Sequence, residues 1–224
     1  MHLTRLFLDP ASRAVRADVA TPDSLHKTVM RLFPMDAGAE PRKAHGVLHR
    51  LDEGRDGRLM LLVQSRARPN TSALPAGYLT DLSRAPALAE AGVSDNPSIR
   101  SVDEERGRVA VGDRFAFRLK ANTTRKIGTK TGPDGKRVHG RRVPVSGDDA
   151  RLEWLKRHAA AAGFDVMGVR VTEVPVRGRD VRLAGAIFDG ILDVKDPSLF
   201  REALEAGLGP AKAFGFGLLS IARP

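Results

Sequence analysis

The stretch Glu205-Ala-Gly-Leu-Gly-Pro-Ala-Lys-Ala-Phe-Gly-Phe-Gly-Leu-Leu-Ser-Ile-Ala222 decides how the rest of the chain is read. It leaves a predicted helix that starts at Asp196-Pro197, carries Leu199, Ala203 and Leu204, and stops at Gly207. It ends in an apolar strand, Leu218 to Ala222. Between the two, Gly207, Gly209, Gly215 and Gly217 flank a single lysine, Lys212. Glycine admits backbone conformations closed to other residues and lets a ligand approach the main chain, so amide N–H groups beside a lysine suit a phosphate. The order helix, glycines, strand excludes the phosphate loop of nucleotide hydrolases, which runs Gly-Lys-Ser/Thr from a strand into a helix. It excludes the dinucleotide fingerprint for the same reason. A purely structural role is the alternative, with Gly207 a helix cap and Gly215 and Gly217 relieving a crowded strand.

Upstream, Asp113-Arg-Phe-Ala-Phe-Arg-Leu-Lys-Ala121 alternates strictly, with Phe115, Phe117 and Leu119 on one face and its basic residues on the other. Ser146-Gly-Asp-Asp149 has the pattern of a capping box opening a helix from about Asp148 to Ala162, with Leu152, Leu155 and Ala159 inward. Strands fill Asp165 to Thr172 and Val181 to Val194. With the final helix and strand, the second half reads strand, helix, strand, strand, helix, strand.

The first half shows most of the same order. His2 to Leu8 is a strand ended by Asp9-Pro10. Thr21, Pro22 and Asp23 open a helix on which Leu25, Val29, Leu32 and Phe33 recur at helical spacing up to Pro34. Gly46 to Leu51 and Arg58 to Gln64 form a hairpin, and Thr71 to Leu82 is expected to hold a short helix. The expectation is therefore an α+β chain of two tandem ferredoxin-like (βαββαβ) domains with antiparallel sheets and a C-terminal glycine-rich loop. The domains are placed at 1–90 and 113–224, with the join at 91–112, where prolines and charges interrupt any pattern.

Composition narrows the function classes. With 42 % apolar residues the chain is globular, and zero cysteines exclude disulfides, thiolate nucleophiles and cysteine-held zinc together. No long apolar run or leader pattern is present, so a cytoplasmic protein without membrane contact is expected, a monomer when free. Between Arg114 and Arg142 ten basic residues face one acid, Asp134, a net of +9 out of the chain's +10. Almost all the excess charge thus sits in one block, the footprint of a polyanion, and no basic amphipathic helix points to a membrane instead. One Trp, one Tyr and nine Phe, mostly within apolar patterns, argue against base stacking on an aromatic sheet. Backbone and shape recognition of a folded RNA fits better. The stretch Asn122 to Gly140 is too polar to pack and is expected to be mobile until a ligand orders it.

His26 lies on the flank of the first helix's buried stripe, so it is held rigidly while reaching a surface. An imidazole can take the proton of an RNA 2′-hydroxyl, or protonate the 5′-oxygen leaving group, near neutral pH. The products of such a cut are a 2′,3′-cyclic phosphate and a 5′-hydroxyl. His45 and His49 have a spacing that pairs imidazoles on a helix, but Gly46, Val47 and Leu48 read as strand and no third ligand follows, so no metal or other cofactor is expected. Charge in the transition state then needs a cation, which Lys27, Arg31 or the basic block could supply.

The tail Gly207 to Ala222 closely resembles the C-terminal signature of the CasE (Cse3) family, the CRISPR RNA-processing endoribonucleases of type I-E systems. Leu25-His26 through Leu32-Phe33-Pro34, Phe117-Arg-Leu-Lys-Ala-Asn122, and Arg142-Val-Pro-Val145 followed by Glu153-Trp-Leu155 are similar to the same family, in the same order. The resemblance implies two ferredoxin-like domains, binding of the repeat hairpin of precursor CRISPR RNA and metal-independent cleavage at the base of its stem. It further implies that the enzyme stays on its product beside the other subunits of the Cascade complex. His26 falls on the family's catalytic histidine, with Asp23, Lys27 and Arg31 as possible support. Asp23 stands where some relatives carry a tyrosine. RNA contacts are expected from Arg118, Lys120, Arg125, Lys126, Lys130, Lys136, Arg137, Arg141, Arg142, Gly209, Lys212, Gly215 and Gly217.

Overall fold

The computed structural model describes residues 1–34, 38, 40–54, 56–128, 130–131, 137–138, 140–177 and 182–224. The first half runs β1 (His2–Leu8), α1 (Arg13–Val19), α2 (Pro22–Met30), α3 (Pro41–Ala44), β2 (Leu48–Glu53), β3 (Leu59–Ser65), α4 (Pro86–Glu90), β4 (Ser98–Ser101) and α5 (Asp103–Gly107). The second half begins with β5 (Arg114–Asn122), β6 (Thr124–Ile127), β7 (Lys130–Thr131), β8 (Arg137–Val138) and β9 (Arg141–Pro144). It continues with α6 (Asp148–Ala161), β10 (Phe164–Arg177), β11 (Arg182–Val194), α7 (Pro197–Ala206) and β12 (Leu219–Ala222).

Two four-stranded antiparallel sheets result, ordered β2-β3-β1-β4 and β10-β11-β5-β12. Numbered within each half, both read 2-3-1-4, the split βαβ arrangement of a ferredoxin-like domain. The helices cover one face of each sheet. In the first half Leu6, Leu8, Leu61 and Val63 pack on Val15, Leu25 and Val29. In the second, Phe117, Leu119 and Phe188 pack on Trp154, Leu155, Phe200 and Leu204. Phe115, Phe117, Leu119 and Ala121 are all buried, as the alternation of β5 requires.

The halves meet through Leu48, Leu62 and Leu218, with Leu3 packed against them. Buried Arg50 crosses the seam: its Nη1 donates to the Leu218 carbonyl and, at 2.8 Å, to Ser220 Oγ, while its Nε donates to Asp52 at 2.9 Å. Gln64 donates to the Leu204 carbonyl at 2.7 Å. No helix among the described residues is long and apolar enough to cross a membrane.

Several expectations are corrected. The 91–112 stretch is not a plain join, because Ser98–Ser101 pairs antiparallel with β1 and completes the first sheet. A four-residue edge strand with one pairing side and exposed charge has no periodicity to read. The Thr71 to Leu82 helix is replaced by two single 3-10 turns, Thr71–Ala73 and Leu82–Arg84, with Pro75 and Gly77 between them. α1 went unforeseen, since its one buried residue, Val15, leaves no stripe. The capping box does not form: Gly147 precedes α6 with φ +85° and no side chain caps the helix. Leu152 is only half-buried, and Arg151 is buried instead, paired with Glu173 at 2.8 Å. Within the polar stretch 122–140, Thr124–Ile127 pairs antiparallel with Arg141–Pro144, which lies just beyond it.

Candidate active site

α2 is built as its sequence demands. Thr21 Oγ1 accepts from the Ser24 amide at 3.2 Å, Pro22 occupies the first turn, and Leu25, Thr28, Val29 and Met30 are buried. That anchoring leaves His26 half-buried on the helix flank. Its ring stacks on that of His49, with centroids 5.9 Å apart and planes 19° from parallel. Burial, and then the charge of Arg42, hold the His26 imidazole below its ordinary pKa, with Asp23 opposing them. That lowering favours the neutral imidazole, the form able to accept a proton.

His49 projects from the edge strand β2 into the helix-covered side of the sheet, at 1 % exposure. Burial pushes its pKa down to about 3, helped by the charges of His26, Lys120 and Arg42. Arg42 donates to the Val47 carbonyl at 3.2 Å, which fixes α3 against the start of β2. Lys212, in the 3-10 turn Lys212–Phe214, is half-buried and also held below its ordinary pKa, by burial first and Arg42 second. Lys120 is lowered by burial, with Asp52 opposing, and lies 5.6 Å from the Phe216 ring centre. Cations from three segments thus gather around one stacked histidine pair.

The glycine-rich loop is what brings the second half to that pair. Gly215 has φ +80°, and a Cβ placed on it would sit 3.6 Å from His49 Nε2. Gly217, at φ +88°, donates its N–H to the Lys120 carbonyl at 2.8 Å and accepts from the Leu208 N–H at 2.8 Å. A Cβ on Gly217 would meet Leu208 O at 2.8 Å. Several loop amides are thus engaged within the protein, not aligned as a free row for a phosphate. Gly209 lies against the Trp154 ring, whose Nε1 donates to the Thr124 carbonyl at 3.2 Å.

The basic block divides. On β5, Arg118 is held by Asp189 at 2.6 Å and 3.0 Å, and Arg114 by Asp193 at 2.8 Å and 3.2 Å, each directly across the β11 ladder. On the β6/β9 ribbon, Arg125, Lys126, Arg141 and Arg142 are exposed, and Lys126 stands directly opposite Arg142. Like charges facing across a ladder repel, so this ribbon favours an anion laid along it. Lys130 and Arg137 lie on β7 and β8, but their side chains, and Lys136 altogether, are outside the described residues.

A family described as "CRISPR associated protein" matches residues 1–223. The chain belongs to that family. Among CRISPR associated proteins it is 28 % identical to the CRISPR-associated endoribonuclease Cse3 of Thermus thermophilus, over 99 % of this chain and 100 % of that one. It is 29 % identical to the CRISPR system Cascade subunit CasE of Escherichia coli, over 51 % of this chain and 61 % of that one. The structure of Thermus thermophilus Cse3 bound to an RNA representing a pre-cleavage complex superposes with TM-score 0.74 at 28 % identity, covering 99 % of this chain and 98 % of that one.

Of the residues singled out in the sequence, the fold brings His26, Asp23, Lys120, Lys212 and Gly215 to one place. Lys27 on α2 and Arg31 at its C-terminal cap are exposed, and no described contact joins them to the cluster. His45 and His49 do not form a pair: His45 Nε2 meets the Pro34 carbonyl at 3.0 Å, whereas His49 turns to His26. Sequence reasoning missed Arg42 and the role of His49. β2 is buried on both faces over Leu48–Arg50, so alternation could not say which face met the helices and which the other half.

Proposed function

We infer that this protein is an endoribonuclease that binds the repeat stem-loop of precursor CRISPR RNA and cleaves at the base of the stem. One observation carries the reading: a half-exposed His26 sits where Arg42 of the first half and Lys212 of the second converge. Family membership, a relative named an endoribonuclease and a relative's pre-cleavage RNA complex supply the substrate class.

The RNA brings its own nucleophile. His26 takes the 2′-hydroxyl proton, the 2′-oxygen attacks the adjacent phosphorus, and the bond to the 5′-oxygen breaks as that oxygen picks up a proton. The products are a 2′,3′-cyclic phosphate and a 5′-hydroxyl, without a metal. Lys212 and Arg42 offset the charge that grows on the phosphoryl oxygens. Arg125, Lys126, Arg141 and Arg142 hold the stem through its phosphates. The product then stays bound, making the protein a subunit of a Cascade complex like the relative so named.

The test is incubation of purified protein with a labelled repeat hairpin in excess EDTA, with both new ends mapped. One cut with a cyclic phosphate and a 5′-hydroxyl is expected. Loss of cutting on chelation, restored by magnesium, would overturn the metal-free mechanism. Tight binding without cutting would assign the protein to a structural RNA-holding role.

A further inference from the structure

Three imidazole nitrogens at the stacked pair, His26 Nδ1, His49 Nδ1 and His49 Nε2, are buried without a hydrogen-bonding partner among the described residues. Buried polar atoms almost always have partners, so three together at a reacting group call for an explanation. Packing does not supply one. A phenyl ring would fill the His49 position, keep the stack on His26 and leave no nitrogen unsatisfied.

His49 stays neutral, which gives it one N–H donor and one acceptor nitrogen. It is nearly inaccessible, so it cannot itself touch an RNA strand. The tautomer of a histidine is set by the hydrogen bond its second nitrogen makes, and His26 Nδ1 is a buried nitrogen of the ring stacked on His49. Rings stacked face to face do not aim their in-plane lone pairs at each other, so a hydrogen-bonded link between them would need one bridging water.

We propose that His49 is a positioning residue that orients His26 and fixes its tautomer, accepting the Nδ1 proton through that water so that the Nε2 lone pair faces the RNA. Gly215, passing beside His49 Nε2, lets the glycine-rich loop close over this arrangement. The inference rests on the reading of His26 as the acid–base group, and its test has a readout independent of cleavage.

The experiment compares wild type, His49→Phe and His49→Gln by nitrogen NMR of His26 in the free protein and by single-turnover cleavage of the saturated hairpin complex. In wild type, His26 should carry its proton on Nδ1. His49→Phe should shift the proton to Nε2 and slow cleavage about tenfold or more with hairpin affinity unchanged. His49→Gln, which restores a hydrogen-bonding group, should recover part of both. An unchanged His26 tautomer in His49→Phe, or wild-type cleavage by that variant, would overturn the proposal. Wild-type cleavage by His26→Ala would instead sink the catalytic reading while leaving the tautomer result to stand by itself.

Discussion

The two halves share one strand order, yet they place their polar groups oppositely. The first half buries them, Arg50 and Gln64 at the seam and His49 beside α2, all at most 3 % exposed. The second half leaves Arg125, Lys126, Arg141 and Arg142 exposed on a ribbon that projects from β5. A ferredoxin-like sheet needs only one face covered by helices, so what meets the other face or extends its connections is free to vary. One half is suited to proton chemistry out of bulk water and the other to gripping a polyanion. The glycine-rich loop, which belongs to the second half but packs beside His49 of the first, joins the two tasks.

The sharpest test of this division is His26→Ala, expected to slow single-turnover cleavage by about 10²–10⁴ while hairpin affinity stays within a few-fold. Filter binding beside the cleavage assay reads both, and an equal loss of affinity would mean that the halves do not divide the work. Next in size is the junction itself. Gly217→Val forces a branched residue into positive φ against the Leu208 carbonyl, and should cost about 1–3 kcal/mol in a denaturant titration. A variant of wild-type stability would show that the loop has room to move.

Acid should affect the first half most. The unfolded His49 takes a proton near its ordinary pKa of 6.5, whereas the folded one does so only near 3. The unfolded chain therefore binds more protons between those values, and stability present above pH 6.5 is lost as pH falls, by about 1.4 kcal/mol per unit from this group. Thermal melts across that window should show the slope in wild type and a flatter one in His49→Phe.

The smallest effects belong to single cations of the second half. Alanine at Lys126, Arg141 or Arg142 should weaken hairpin binding and reduce the slope of log K against log salt by about 0.7–0.9 each. Arg114→Ala and Arg118→Ala should leave that slope unchanged, because Asp193 and Asp189 already neutralise those side chains. A slope change as large for Arg118 as for Arg142 would erase the distinction between strand and ribbon.

Much of the architecture was legible because its signals are local. His2–Leu8 matches its strand residue for residue, Thr21 caps α2, and the alternation of β5 puts the expected side chains inside. Illegible features depend on partners distant in sequence. The +9 block looked uniform along the chain, but β11 places aspartates opposite two of its arginines, whereas on the ribbon Lys126 faces Arg142. β4 is short, charged and one-sided, so only its pairing with β1 reveals it as a strand.

The sequence by itself determined the helix that carries His26, the strand that carries Lys120 and the glycines that turn the tail, since each follows from spacing, caps and backbone preference within a few residues. Only the tertiary structure decided that His49 stacks on His26, that Arg42 and Lys212 converge beside them, and that Arg118 is neutralised. Those outcomes come from packing between segments far apart in the chain. Such contacts leave no periodic trace along either segment, because each one depends on the face its partner turns towards it.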